Sequence, residues 1–148
     1  MDIRPATPAD AGAIASLTRE LGYAADAPAI DARLQHLCRT ADDTVLVAAD
    51  EGVIGGWIQA HASCALESGF RIEIVGLVVS ERFRRRGVGR DLVAAAEAWA
   101  AARQVEVVTV RSNVQRAESH AFYPALGYER TKTQAVYRKR MTPRGTRA

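Results

Sequence analysis

At 148 residues, 48% hydrophobic and 25% charged, the chain has the make-up of one soluble globular domain and the length for one ordinary core. Its longest stretch without Asp, Glu, Lys or Arg is Gly52–Leu66, which holds three glycines, Gln59 and His61; a membrane span needs about 20 largely apolar residues. The formal charge of +3 is unevenly spread: five positives sit in the tail (Arg138, Lys139, Arg140, Arg144, Arg147), five lie between Arg82 and Arg90, and the remainder is acidic.

The N-terminus, Met1-Asp2-Ile3-Arg4-Pro5, carries no apolar signal core. Thr7-Pro8-Ala9-Asp10 reads as a helix start, with a capping hydroxyl, proline at the first helical position and an early carboxylate. Ile14, Leu17 and Leu21 then recur at helical spacing, and Gly22 stops the run. A second helix follows Asp26, with Ile30, Leu34 and Leu37 on one side, ending near Arg39. Thr44–Ala49 is a short β-rich run, and Asp50-Glu51-Gly52 is a hairpin turn into Val53–Ala62. Ser63–Gly69 reads as a loop.

Phe70–Val79 is the longest strand candidate. Arg71 and Glu73 alternate with Ile72 and Ile74, but Val75–Val79 is unbroken apolar around Gly76. Such a change of pattern at a glycine predicts a bulge, or a strand buried on both faces. A helix from about Gly87 to Arg103 carries the stripe Val88, Leu92, Ala95, Trp99. Val105–Val110 is strand-like and Arg116–Leu126 helix-like; Tyr128–Lys132 and Gln134–Arg138 are expected to close the chain as two strands. The sum is a mixed α/β fold, a mostly antiparallel sheet flanked by helices, in one domain of residues 1–141. Residues 142–148 are expected to form a disordered basic tail.

Between the long strand and its helix lies Ser80-Glu81-Arg82-Phe83-Arg84-Arg85-Arg86-Gly87-Val88-Gly89-Arg90. A helix N-terminus offers free N–H groups and a positive dipole end to an anion. Gly87 and Gly89 let a phosphate approach the backbone, and the arginines add charge-assisted hydrogen bonds. A Walker loop is excluded because Arg90-Asp91 follows Gly89; a dinucleotide fingerprint is excluded because Leu92 stands where a third small residue belongs. One tight arginine cluster suits a small polyanion better than nucleic acid, whose binders spread Lys and Arg along a face.

Arg84-x-x-Gly87-x-Gly89 between a strand and a helix resembles the acyl-CoA pyrophosphate loop of the Gcn5-related N-acetyltransferase (GNAT) family. Phe122-Tyr123-Pro124-Ala125-Leu126-Gly127-Tyr128 resembles that family's C-terminal aromatic signature, and Ile3–Asp10 is similar to many members' opening strand and helix. The resemblance spans Asp2 to about Arg140. It implies the acyl-CoA N-acyltransferase fold and transfer of an acetyl group from acetyl-CoA to a primary amine, by direct attack in a ternary complex. The acceptor would be a small cationic amine, an aminoglycoside-like molecule, or a lysine or N-terminal amine; the acidic body favours a cation.

The same resemblance implies which residues hold acetyl-CoA. Arg84, Arg85, Arg86, Gly87, Val88, Gly89 and Arg90 would take the pyrophosphate. Leu77, Val78 and Val79 would line the pantetheine arm in a gap where their strand splays from Val105–Val110, with the Leu77 N–H donating to the thioester oxygen. A bulge near Gly76 would leave such N–H groups unpaired. Asn113 matches the asparagine touching the CoA arm, or caps the next helix. Tyr123 matches the tyrosine that protonates the departing thiolate, or is a core tyrosine beside Phe122. Its reference pKa of ~10 against ~8.5 for a thiol lets it donate without ionising at neutral pH.

Glu73 is the candidate base. It lies four residues before Leu77, where the resemblance places the glutamate of the family's histone-acetylating branch, and an alkyl amine with a pKa near 10.4 is only about 0.04% neutral at pH 7. It reads equally as a surface partner of Arg71 or a group orienting water. Two departures from the family pattern stand out: Arg116 replaces an asparagine seven residues before Tyr123, and Pro124 should loosen that helix's last turn. His36, His61 and His120 share no ligand spacing, so no metal is expected. Cys64 reads as a buried thiol; Trp57, Tyr23 and Phe70 read as acceptor-pocket lining or as core and rim packing.

Cys38 and Cys64 form no disulfide framework, and the expected compartment is the cytoplasm. No membrane or nucleic-acid partner is expected; a homodimer through a C-terminal edge strand is an open option. A non-catalytic acyl-CoA sensor or partner subunit, and a basic-loop nucleic-acid binder, are the competing readings.

Overall fold

An ion pair fixes the chain's entry. Asp10 (8% exposed) accepts both arms of the Arg4 guanidinium, at 2.8 and 2.9 Å, and the Thr7 backbone N–H at 2.8 Å. The fork joins strand β1 (Asp2–Pro5) to a 3-10 turn (Pro8–Asp10), so helix α1 (Ala11–Glu20) begins later than Thr7-Pro8 suggests. The guanidinium beside Asp10 holds its carboxyl below the usual carboxylate range. A depressed folded-state pKa gives stability that is present above the unfolded value near 3.9 and is lost as pH falls through the folded one. Asp10→Asn is therefore expected to lower Tm at neutral pH, by about 1–3 kcal/mol for the lost charged hydrogen bonds. Thermal melts of the two proteins should begin to converge only below about pH 4, as the folded-state carboxyl takes up its proton.

The computed structural model describes residues 1–111 and 117–143, with backbone alone for 117–120, in two units, Met1–Arg111 and Ser112–Ala148. In the first, α1 is followed by α2 (Ala27–Leu37), then β2 (Asp43–Asp50), β3 (Val53–Ala65) and β4 (Gly69–Val79). Helix α3 (Val88–Ala102) and β5 (Val108–Val110) complete it. The sheet order is β1-β2-β3-β4-β5, antiparallel except for the parallel β4–β5 pair. The turn between β2 and β3 has positive φ at both central residues, Glu51 (48°) and Gly52 (81°), which matches the twist of a two-residue hairpin.

Helices cover both faces. Val47 packs with Ala6, Ala11, Ile14 and Leu34 on the α1–α2 side, together with partly buried Val45 and Trp57. On the other side lie fully buried Ile58, Ile72 and Ile74, against α3 with its buried Leu92, Val93, Ala96 and Ala100. The second unit holds α4 (Ala117–Ala125).

Four expectations need correction. The segment Ser63–Gly69 is mostly strand, since β3 runs to Ala65 and β4 starts at Gly69. Strand β5 covers only Val108–Val110 of the expected Val105–Val110. Tyr128–Lys132 and Gln134–Arg138 form no strand: the stretch is exposed, with Val136 83% and Tyr137 93% accessible, and β-propensity expresses fit to a half-buried pleated surface that these residues lack. Cys64 is exposed rather than buried.

Candidate active site

The bulge expected at Gly76 is present. Gln59 pairs with Gly76 and Ala60 with Ile74, so Val75 is the extra residue in β4. Gly76 is required there because a Cβ would lie 2.7 Å from the Trp57 ring; Trp57 is itself held by its Nε1–H donating to Thr18 Oγ1 at 3.1 Å. The parallel ladder with β5 covers Ile72–Ile74 and stops where the bulge begins.

Past the bulge the direction of the backbone groups follows from the ladder. Ser80 N–H donates to Gly55 O at 2.8 Å. Antiparallel pairs alternate between hydrogen-bonded and non-bonded, which puts Leu77–Ile58 and Val79–Gly56 in the non-bonded positions. The N–H and C=O groups of Leu77 and Val79 thus point away from β3, to an edge that no other strand of the first unit pairs; Val78 pairs back toward Trp57.

The loop after β4 is anchored rather than loose. A 3-10 turn (Glu81–Phe83) buries Phe83 at 6% exposure against Gly55, where a Cβ would meet the ring at 2.6 Å. Ser80 Oγ donates to Glu20 Oε1 at 3.1 Å. Arg85 (φ 63°) and Gly87 (φ 75°) are left-handed, and Gly87 is the N-cap of α3. The first helical bond is Asp91 N–H to Gly87 O, 2.9 Å, so the N–H groups of Val88, Gly89 and Arg90 precede any intrahelical bond. Arg86 lies over the Phe83 ring (4.9 Å) and meets Asp50 at 3.2 Å, and Arg90 meets Asp91 at 3.4 Å. Arg84 and Arg85 are exposed.

On the α1–α2 side the register aligns Asp43, His61, Glu73 and Thr109 in one row across β2, β3, β4 and β5. Glu73 (side chain 14% exposed) meets Arg111 Nε at 2.9 Å, so its ionic partner is Arg111 rather than Arg71. His61 Nδ1 lies 2.8 Å from Asp43 Oδ1. Sequence reading missed Arg111, His61 and Asp43 as site residues; their only sequence signal is a position on the correct side of a strand, which needs the register to interpret. Beside this row α2 and β3 enclose an open cavity of about 440 Å³ lined by Ala32, Arg33, His36, Leu37 and Gln59.

Tyr123 belongs to the second unit, and Asn113 and Arg116 lie outside the described residues. The end of α4 explains the aromatic signature. Gly127 (φ 92°) is left-handed, Gly127 N–H donates to Pro124 O at 3.0 Å, and Tyr128 N–H donates to Tyr123 O at 3.1 Å. This is a Schellman cap, whose characteristic side-chain contact is the Tyr123–Tyr128 ring pair at 5.9 Å. Phe122 meets the Tyr123 ring edge-on at 4.9 Å. The turn that Pro124 should loosen is closed from its C-terminal side.

Among the described residues no helix is long and apolar enough to cross a membrane, and no group of three or more His, Cys, Asp and Glu could hold a metal ion.

The model of the acetyltransferase (GNAT) family matches residues 13–128. An aminoglycoside N(6')-acetyltransferase type 1 of Stenotrophomonas maltophilia is 30% identical over 145 residues, covering 95% of this chain and 94% of that one. Two solved structures share the fold. An aminoglycoside N-acetyltransferase in complex with CoA has a TM-score of 0.85 at 24% identity, with 95% of each chain covered. An aminoglycoside 6'-N-acetyltransferase from Acinetobacter baumannii has a TM-score of 0.81 at 20% identity, covering 95% of this chain and 99% of that one.

Proposed function

The chain belongs to the acetyltransferase (GNAT) family and is an acetyl-CoA-dependent N-acetyltransferase, and from that premise we propose that its acceptor is the 6'-amine of an aminoglycoside. The observation that carries this reading is the 30% identity to an aminoglycoside N(6')-acetyltransferase along nearly the whole of both chains. Two carboxylates on one sheet row, Asp43 paired with His61 and Glu73 paired with Arg111, add negative charge on the side of the cavity and so favour a polycationic acceptor.

The roles proposed for the first unit are supported by its geometry, and those of Tyr123 and Asn113 by the family resemblance. Exposed Arg84 and Arg85, with the N–H groups of Val88, Gly89 and Arg90, hold the pyrophosphate at the start of α3. Gly87 supplies the backbone conformation and Arg86 braces the loop through Phe83 and Asp50. Leu77 and Val79 hydrogen-bond the pantetheine arm along the open edge, with Val78 packing beneath, and the Leu77 N–H polarises the thioester oxygen. Glu73 takes the proton of the acceptor ammonium, Tyr123 gives a proton to the leaving sulfur, and Asn113 touches the CoA arm. Acetyl-CoA supplies the acyl group; no metal takes part in this scheme. The proposed compartment is the cytosol, where the free, exposed thiols of Cys38 and Cys64 stay reduced.

Free-thiol release from acetyl-CoA, measured over a panel of amines, tests the acceptor. Release is expected with an aminoglycoside bearing a 6'-amino group and to fall by at least about 100-fold with its 6'-hydroxyl counterpart, as for a site built around a polar group the analogue lacks. Release with lysine peptides or polyamines, but not aminoglycosides, would overturn the aminoglycoside assignment. Acetyl-CoA binding without release from any amine would favour the sensor.

A further inference from the structure

His61 stands between two carboxylates on the polar row. It is directly opposite Asp43 on β2 and directly opposite Glu73 on β4, and residues so paired share a face with Cβ atoms about 4.5–5.5 Å apart. Its Nδ1 lies 2.8 Å from Asp43 Oδ1. An ionised carboxylate only accepts, so Nδ1 is the donor toward Asp43 and Nε2 is the ring nitrogen left to take a second proton. Asp43 is 10% exposed at its side chain and His61 is 43% exposed. Glu73, at 14%, has Oε1 engaged by Arg111, leaving Oε2 to meet a proton.

We propose that His61, oriented by Asp43, is the second station for the acceptor's proton, receiving it from Glu73 and releasing it to solvent. The inference rests on Glu73 being the group that meets the acceptor ammonium. The ammonium N–H bond breaks as a Glu73 O–H bond forms; that bond breaks as His61 Nε2–H forms; the imidazolium beside Asp43 then loses the proton to water. One proton passes from amine to solvent, and Glu73 is a carboxylate again for the next acceptor. Exposure sets the direction, because Glu73 is shielded and His61 is wet. Asp43 holds the ring and stabilises its cation, as the carboxylate of a catalytic triad does. Besides Asp43 and Glu73, the charged neighbours are Arg71 on β4, Arg111 on β5 acting through Glu73, and Arg33 and His36 of α2. The last two line the cavity with Gln59, which precedes His61 by two on the same face.

His61 acts through Glu73 and is therefore a positioning residue, so the test reads a pH profile and a coupling rather than rate alone. His61→Asn, which keeps a donor toward Asp43, is expected to lower kcat/KM for the acceptor about 10-fold to 100-fold. It should also change the shape of the pH–rate profile for the acceptor, with KM for acetyl-CoA unchanged. Asp43→Asn should lower kcat/KM less and change the same part of the profile. Independently of turnover, an NMR titration of the His61 ring in wild type and Glu73→Gln should show the midpoint fall when the neighbouring negative charge is removed. A midpoint indifferent to Glu73→Gln, or a His61→Asn pH profile matching wild type, would overturn the relay while leaving the acceptor assignment standing. No turnover by wild type with any amine would overturn both.

Discussion

Tyr123→Phe is expected to lower kcat for acetyl transfer by about 100-fold or more, within the range for loss of a positioned general acid, while acetyl-CoA still binds. The substitution removes one oxygen and keeps the ring. The edge-on contacts with Phe122 and Tyr128 and the backbone cap at Gly127 depend on the ring and the main chain, so they persist. The loss that bears on the reaction is that of a proton for the leaving thiolate. Thiol release at saturating concentrations of both substrates measures it. A second measurement makes the result specific: with an acetyl thioester whose thiol has a lower pKa, the leaving group needs less help and the gap between wild type and mutant should narrow. An unchanged kcat would remove Tyr123 from the mechanism. A loss indifferent to the thiol would give its hydroxyl a positioning role instead.

Gly87→Val acts on the other substrate. Gly87 sits at φ 75°, a conformation that a β-branched residue adopts only as an outlier and at a cost on the order of 1–3 kcal/mol. The loop is pinned on both sides of this point, by Phe83 packed at Gly55 and by the first bond of α3. Strain at residue 87 is relieved most easily by moving the N–H groups of Val88 and Gly89. Hydrogen bonds to a charged group are worth about 1.5–3 kcal/mol each, so losing one or two should raise the Kd for acetyl-CoA by at least about tenfold. Calorimetric titration with acetyl-CoA checks this, and kcat at saturation should stay near wild type. Asn tolerates the left-handed region, so Gly87→Asn should bind more tightly than Gly87→Val. Equal affinity in the two variants would show that backbone strain at residue 87 is not what matters.

Much of this site is written locally. The β4 bulge was legible because glycine interrupts an otherwise regular apolar strand, and the structure adds why: the Trp57 ring leaves no room for a Cβ at Gly76. The arginine–glycine loop that opens α3 was legible because strand, arginines, glycines and helix are contiguous. The α4 signature was legible as a pattern, and its physical content is a helix cap that ties Tyr123 to Tyr128. What stayed hidden depends on register. Arg111 reaches Glu73, and Asp43 reaches His61, only once β2 to β5 are aligned, and no local pattern states that alignment. The expected strands after Tyr128 failed for a related reason: alternation shows what a segment prefers, while a ladder needs a partner.

The β3–β4 ladder carries one residue more on β4 than on β3, which interrupts pairing at Val75. A β4 without Val75 would keep step with β3 along its whole length. Each further ladder bond would add on the order of 1 kcal/mol. The same change would remove the local bend that precedes the outward-facing backbone groups of Leu77 and Val79. Under the roles proposed for Leu77 and Val79, thermal stability and acyl-donor binding are in competition at position 75.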